Sequence, residues 1–366
     1  MIYTYMSPLL KYNPGTTKME LFDGNVYPEN MVDTKYWHEI DENRVQCDLC
    51  PRFCQIKEGK RGLCYIRANH EHKIVMTSYG RSSGFAVDPI EKKPLNHYYP
   101  GSKIYSFGTA GCNLSCKFCQ NWDISKSREM DTLMAQASPQ QIAINAKALG
   151  CNSVAYTYND PVIFHEYAID VAAACREQGL KSVAVTAGYI CPEPRVEFFS
   201  LIDAANVDLK SFSENFYKKV TGSHLAEVLD TILYLHQETN IWMELTTLLI
   251  PGLNDSDKEL HELTEWIVEN LGPDVPLHFS AFHPDYKILD KPRTPLTTLL
   301  RAREIALAKG LHYVYTGNVH NKESDSTWCH HCGHLLIGRD WYRLGEWGLN
   351  ADGGCENCNT HCAGFF

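Results

Sequence analysis

The sequence has no run approaching about 18–20 uninterrupted apolar residues, which excludes a membrane-spanning helix. It has no basic excess either. Its 34 Lys and Arg stand against 44 Asp and Glu, a net charge of −10, so no global field draws it to nucleic acid and only a local basic patch remains open. Residues Met1 to Pro14 lack a basic stretch followed by a long apolar core and are not read as a secretory signal, so the expected compartment is the cytoplasm. No internal repeat or low-complexity tract organises the chain. Apolar residues make up 44%, which excludes a disordered chain.

What the sequence does have is cysteine: 15 in 366 residues, beside 16 histidines. Most of them cluster. Cys47, Cys50, Cys54 and Cys64 form one group; Cys112, Cys116 and Cys119 a second; Cys329, Cys332, Cys355, Cys358 and Cys362 a third. Cys151, Cys175 and Cys191 stand alone. A chain of this size has no need of disulfide staples, and C-x2-C spacing in a reducing compartment points to metal.

Three regions follow from the pattern. Residues 1–103 read as an N-terminal extension that starts with an extended or loosely packed arm over 1–40 and carries the first cysteine group. Residues 104–323 alternate short β-branched or aromatic runs (104–108, 153–157, 181–186, 205–209, 241–249, 277–282, 312–316) with amphipathic stretches (138–149, 162–178, 193–202, 224–238, 255–271, 295–309). Ser138-Pro139 and Asn254-Asp255-Ser256 supply helix-start signals. Such alternation predicts an α/β fold with a parallel sheet, as a partial or complete β/α barrel or else a doubly wound sheet. Residues 324–366 are rich in Cys, Gly, His and Trp and predict a small module held by a structural ion.

The middle group reads Gly108-Thr-Ala-Gly-Cys112-Asn-Leu-Ser-Cys116-Lys-Phe-Cys119-Gln-Asn-Trp122, a C-x3-C-x2-C spacing directly after the first strand. Three thiolates with no near fourth suit a cubane cluster with one iron left open to a small molecule. The other reading is a zinc or iron site completed by a remote histidine. The first group, C-x2-C-x3-C-x9-C, supports tetrahedral zinc or a second iron–sulfur cluster, with zinc or another structural role slightly favoured. The two terminal C-x2-C knuckles, Cys329/Cys332 and Cys355/Cys358, read as a zinc-ribbon or rubredoxin-like site for zinc or iron.

The middle motif resembles that of the radical S-adenosylmethionine (SAM) superfamily. The resemblance implies a [4Fe–4S] cluster on Cys112, Cys116 and Cys119, SAM on the open iron, and a 5′-deoxyadenosyl radical that abstracts hydrogen from a substrate. It also implies cofactor contacts from Phe118, from Tyr158, Asn159 and Asp160 after the second strand, from Thr186 after the third, and from Asp208 and Lys210 after the fourth. No Gly-Gly-Glu stands at the second position, and Ala187 stands where activating enzymes often have Asn.

With Cys-Pro51-Arg52 in the head, Lys93-Pro-Leu-Asn-His97, Gln120-Asn-Trp122, Tyr315-Thr-Gly-Asn318 and the terminal knuckles, the chain from Cys47 to Phe366 resembles the radical SAM component of the AmmeMemoRadiSam system, similar to pyruvate formate-lyase activating enzymes. Asp160 stands where that pattern commonly has Glu. The resemblance implies Memo-like and AMMECR-like partner components and an electron donor such as a flavodoxin or ferredoxin. It names no substrate. Two alternatives remain: an activase installing a glycyl radical on a protein, and a metal-stapled nucleic-acid-binding protein, against which the acidic balance argues.

Overall fold

The computed structural model describes residues 19–22, 24–26, 28–128, 133 and 135–366. The chain divides into two compact units. One holds residues up to Asp88 together with Lys103–Asp203; the other holds Pro89–Ser102 together with Ala204–Phe366.

In the first unit, strands β1 (Lys103–Gly108), β2 (Ser153–Tyr156) and β3 (Lys181–Thr186) pair in parallel, Ile104 opposite Ser153 and Ser153 opposite Lys181. Helices α1 (Pro139–Ala148) and α2 (His165–Glu177) make the crossovers, and α3 (Pro192–Phe199) follows β3. Helix α1 starts where the sequence predicts: Ser138 caps it by accepting from the Gln141 N–H, and Pro139 takes the first turn, where a missing N–H costs nothing. β1 is buried along all but its first residue and β2 throughout, as expected of parallel strands covered on both faces.

The second unit repeats the scheme. Strands β4 (Ala204–Asp208), β5 (Trp242–Leu249), β6 (Leu277–Ala281) and β7 (Val314–Gly317) pair in parallel in that order. Helices α4 (Leu225–Glu238), α5 (Asp257–Leu271) and α6 (Leu296–Ala308) alternate with them. Ser256 caps α5 by accepting from Glu259 N–H. Parallel strands alternating with helices confirm the predicted α/β class. The terminal residues add a three-stranded antiparallel sheet (Thr327–Trp328, Leu335–Asp340, Arg343–Trp347), whose Leu336 and Ile337 share a core with Tyr313, Tyr315, Cys329 and Cys355.

The extended or loosely packed arm expected over 1–40 holds paired strands in its described part; residues 1–18 lie outside the described residues. Met19–Phe22 pairs with Gly24–Val26, Val32–Asp33 pairs with Lys73–Met76, and Trp37–Asp41 forms a hairpin with Arg44–Cys47. The hairpin strand Trp37–Asp41 is exposed along most of its length, so it lacks the buried alternation that betrays a strand in sequence. Among the described residues no helix is long and apolar enough to cross a membrane.

Candidate functional site

The loop after β1 carries Cys112, Cys116 and Cys119, and two glycines let it form. Gly108 is packed so closely on the segment after β2 that a Cβ there would lie 2.3 Å from the Thr157 carbonyl oxygen. Gly111 has φ +83°, a conformation that L side chains rarely adopt, and a Cβ there would lie 1.9 Å from the Cys64 carbonyl oxygen.

Asn159 fixes the start of the loop. Its Oδ1 accepts from the Thr109 N–H at 3.0 Å, and its Nδ2 donates to the Gly111 carbonyl at 2.8 Å and to Thr109 Oγ1 at 3.1 Å. Further along, Lys126 Nζ donates to the Leu114 carbonyl at 2.7 Å, Arg52 Nε to the Asn113 carbonyl at 2.7 Å, and Cys119 Sγ lies 3.0 Å from Ser125 Oγ. Cys116 is buried and its two partners are half-buried. Burial pushes the Cys112 thiol up, against the opposing pull of Lys126.

Asp160 and Thr186 meet at the ends of β2 and β3. Asp160 Oδ1 accepts from Thr186 Oγ1 and the Val162 N–H, both at 3.1 Å, and Oδ2 accepts from the Ala187 N–H at 3.0 Å. Thr186 Oγ1 in turn accepts from the Gly188 N–H at 3.0 Å. Tyr158, at φ +72°, lies 3.4 Å through its hydroxyl from Asp88, and its carbonyl accepts from Asn121 Nδ2 at 2.9 Å. Phe118 is buried, 5% exposed. The first unit thus brings together Cys112, Tyr158, Asn159, Asp160 and Thr186 through contacts of the loop and of the β2 and β3 ends. Asp208 and Lys210 belong to the second unit, where they pair with each other at 2.9 Å.

The cysteine groups differ in geometry. Among the described residues, Cys329, Cys332, Cys355 and Cys358 are the one group of His, Cys, Asp or Glu whose ligand atoms all converge within 4.8 Å. Their Sγ–Sγ distances of 3.6 Å (Cys329–Cys358) and 3.7 Å (Cys332–Cys355) match the edge of about 3.8 Å implied by four Zn–S bonds of about 2.3 Å. Cys362 lies apart, buried beside His97. The Cys112, Cys116 and Cys119 sulfurs do not draw together in this way, nor with any histidine or carboxylate. A cluster asks for no such convergence, since iron and sulfide must fit between the thiolates.

The radical SAM superfamily profile matches residues 107–264, which span that loop. The chain contains a radical SAM domain over these residues. An uncharacterised protein of Methanocaldococcus jannaschii is 41% identical over 309 residues, covering 84% of this chain and 92% of its own. The 4-hydroxyphenylacetate decarboxylase activating enzyme of Clostridium scatologenes is 30% identical over 118 residues, 32% of this chain, and only 38% of that enzyme's length is spanned. Among solved structures, a radical SAM methyltransferase from Sphaerobacter thermophilus matches with a TM-score of 0.50 at 13% identity, covering 84% of this chain and 81% of that one, a likeness of fold alone. A radical SAM domain implies a [4Fe–4S] cluster and SAM, and three thiols on one loop fit that pair by leaving a cluster corner without a protein ligand.

Sequence reasoning missed a buried network in the second unit. Glu244, fully buried on β5, accepts from the backbone N–H groups of Asn96 and His97, from His278 Nε2 at 2.7 Å and from Trp242 Nε1 at 3.0 Å. Burial pushes its carboxyl up, but the hydrogen bond from His278 and the donor from Trp242 prevail and hold it below the ordinary range. A single Glu in an apolar strand was the available signal; its partners lie up to 148 residues away.

Proposed function

We propose that this protein cleaves SAM reductively and uses the resulting radical to take a hydrogen atom from a substrate that the sequence does not name. The observation that carries the reading is the Cys112/Cys116/Cys119 loop at the end of β1, three thiols on one loop with its backbone locked by Asn159. When bound there, a [4Fe–4S] cluster and SAM supply the chemistry: one electron splits a C–S bond, giving methionine and a 5′-deoxyadenosyl radical.

The chain's own residues prepare the place. Asn159 holds the loop close to β2 through Thr109 and Gly111. Asp160 ties the β3 end to the β2 end and so fixes the backbone at Thr186 and Ala187. Tyr158 and the buried Phe118 are proposed as cofactor contacts, the role that the resemblance gives them. Asp208 and Lys210, paired at the end of β4, are proposed as further cofactor contacts.

The test is anaerobic reconstitution followed by assay for 5′-deoxyadenosine with SAM and a reductant. The wild type releases it and Cys116→Ala does not; a wild type without cluster-dependent cleavage overturns the reading. A second reading, glycyl-radical activase, is supported by the activating-enzyme relative. It predicts a glycyl radical signal on a co-purified protein partner. A flavodoxin or ferredoxin as donor, Memo-like and AMMECR-like components, and a reducing cytoplasmic setting complete the proposal.

A further inference from the structure

The four N-terminal cysteines line one cavity of the first unit together with Arg67. Local turns bring them there. The Cys47 N–H donates to the Cys54 carbonyl and the Phe53 N–H to that of Cys50, closing a knuckle with Phe53 at φ +45°. The Gly62 N–H donates to the Arg67 carbonyl and the Tyr65 N–H to the Gly62 carbonyl, turning Cys64 inward with Tyr65 at φ +73°. Cys47 and Cys64 are only 6% and 9% exposed.

Two features separate this group from the terminal knuckles. First, four cysteines share one cavity, yet their sulfurs do not converge within 4.8 Å as the terminal four do. A zinc ion would hold them at tetrahedral edges of about 3.8 Å; a cubane keeps them apart. Second, the wall carries buried donors with nothing to donate to. Arg67, 1% exposed, donates through Nε to the Ile163 carbonyl and through Nη2 to Glu166, while its Nη1 has no partner. Arg52, also on the wall, has a buried Nη2 without a partner. A cluster of sulfides and thiolates is rich in acceptors for such N–H groups, which burial otherwise leaves at a cost.

The cavity touches the radical loop. Asn113, the residue after Cys112, is on its wall and takes the hydrogen bond from Arg52, and Gly111 lies against the Cys64 carbonyl.

We infer that Cys47, Cys50, Cys54 and Cys64 bind a second [4Fe–4S] cluster, fully ligated by the protein, that passes electrons to the cluster on the Cys112 loop. In each transfer the second cluster goes from the 1+ to the 2+ state and the radical-loop cluster from 2+ to 1+. A one-electron protein donor of the flavodoxin or ferredoxin class then reloads the second cluster. The metal assignment stands independently; only the relay rests on the radical reading above.

The test uses the full chain with Cys112, Cys116 and Cys119 all changed to Ser, reconstituted anaerobically with iron, sulfide and zinc. The expected result is about four irons retained per chain, a [4Fe–4S] electron paramagnetic resonance signal on reduction, and about one zinc in the terminal knuckles. No retained iron with about two zincs per chain overturns the assignment. Should that variant not fold, wild-type stoichiometry decides, with about eight irons and one zinc against about four irons and two zincs. For the relay, C50S/C54S protein is assayed for 5′-deoxyadenosine with a flavodoxin and with dithionite. Loss of the flavodoxin-driven reaction relative to the dithionite reaction is expected; an unchanged ratio overturns the relay. Failure of SAM cleavage altogether would remove the radical reading while leaving the iron count of the triple variant to stand or fall alone.

Discussion

The backbone N–H of Ala187 donates to Oδ2 of Asp160 at 3.0 Å, joining the ends of two neighbouring parallel strands. With Val162 and Thr186 on the other oxygen, three donors converge on a carboxylate that is 5% exposed. A carboxylate accepts at both oxygens; an amide presents one of them as a donor. Asp160→Asn is therefore expected to lose about 1–3 kcal/mol of stability, read from urea denaturation, because a buried donor is left facing a donor. A variant as stable as wild type but deficient in SAM cleavage would assign Asp160 to cofactor contact alone.

Gly111→Ala places a methyl group 1.9 Å from the Cys64 carbonyl oxygen at φ +83°. The backbone conformation alone costs about 1–2 kcal/mol, and the overlap adds to it because the obstruction is main chain. The expected outcome is a lower Tm and loss of iron from the Cys112 loop, measured by thermal unfolding and metal analysis of reconstituted protein. Wild-type iron content would show that the loop and the Cys64 turn separate freely.

The terminal module should depend on its ion. Cys332→Ser removes one corner of the four-thiolate group and exposes the core that Leu336 and Ile337 share with Tyr313 and Tyr315. A loss of about 3 kcal/mol or more is expected, with a Tm fall of about 4 °C or more. Calorimetry with zinc analysis checks it, and strong chelation of the wild type should produce the same fall.

Acid sensitivity should come from His97. Burial lowers its pKa to about 4, although Glu244 and the Ala363 carbonyl pull the other way. Its Nδ1 can only donate to the Ala363 carbonyl, so Nε2 is left to accept from the Tyr315 hydroxyl, and the ring is neutral. Arg339, His278, Tyr313 and Cys362 also face it. The folded value lies below the ordinary 6.5, so the unfolded chain binds more protons between those values. Stability is then complete above pH 6.5 and falls as pH drops toward about 4, by about 3 kcal/mol in all. Urea denaturation across pH 5–7 should show the slope, and His97→Gln should flatten it.

The parallel core was legible because its signals are local. Predicted strands 104–108 and 181–186 appear as Lys103–Gly108 and Lys181–Thr186, and Ser138-Pro139 opens α1 as read. The terminal C-x2-C spacings likewise marked the four cysteines whose sulfurs converge. What escaped was distance. Arg67 and Glu166 pair across 99 residues, and no periodicity announces such a partner. Asn159, which the resemblance gives to cofactor contact, has three hydrogen bonds to the loop itself, a role set by a turn geometry that only the fold reveals.

On the assignments proposed above, the sulfurs drawn to 3.6–3.7 Å in the terminal group take zinc and the other cysteine groups take iron, two elements of very different handling. Zinc is redox-inert and survives air; exposed iron–sulfur clusters do not. A sample purified on an open bench should therefore arrive with its terminal module loaded and its iron sites bare, giving a sharp melting transition and no turnover. For this enzyme a good thermogram is no certificate of competence, and the iron-to-zinc ratio is the figure by which a preparation should be judged.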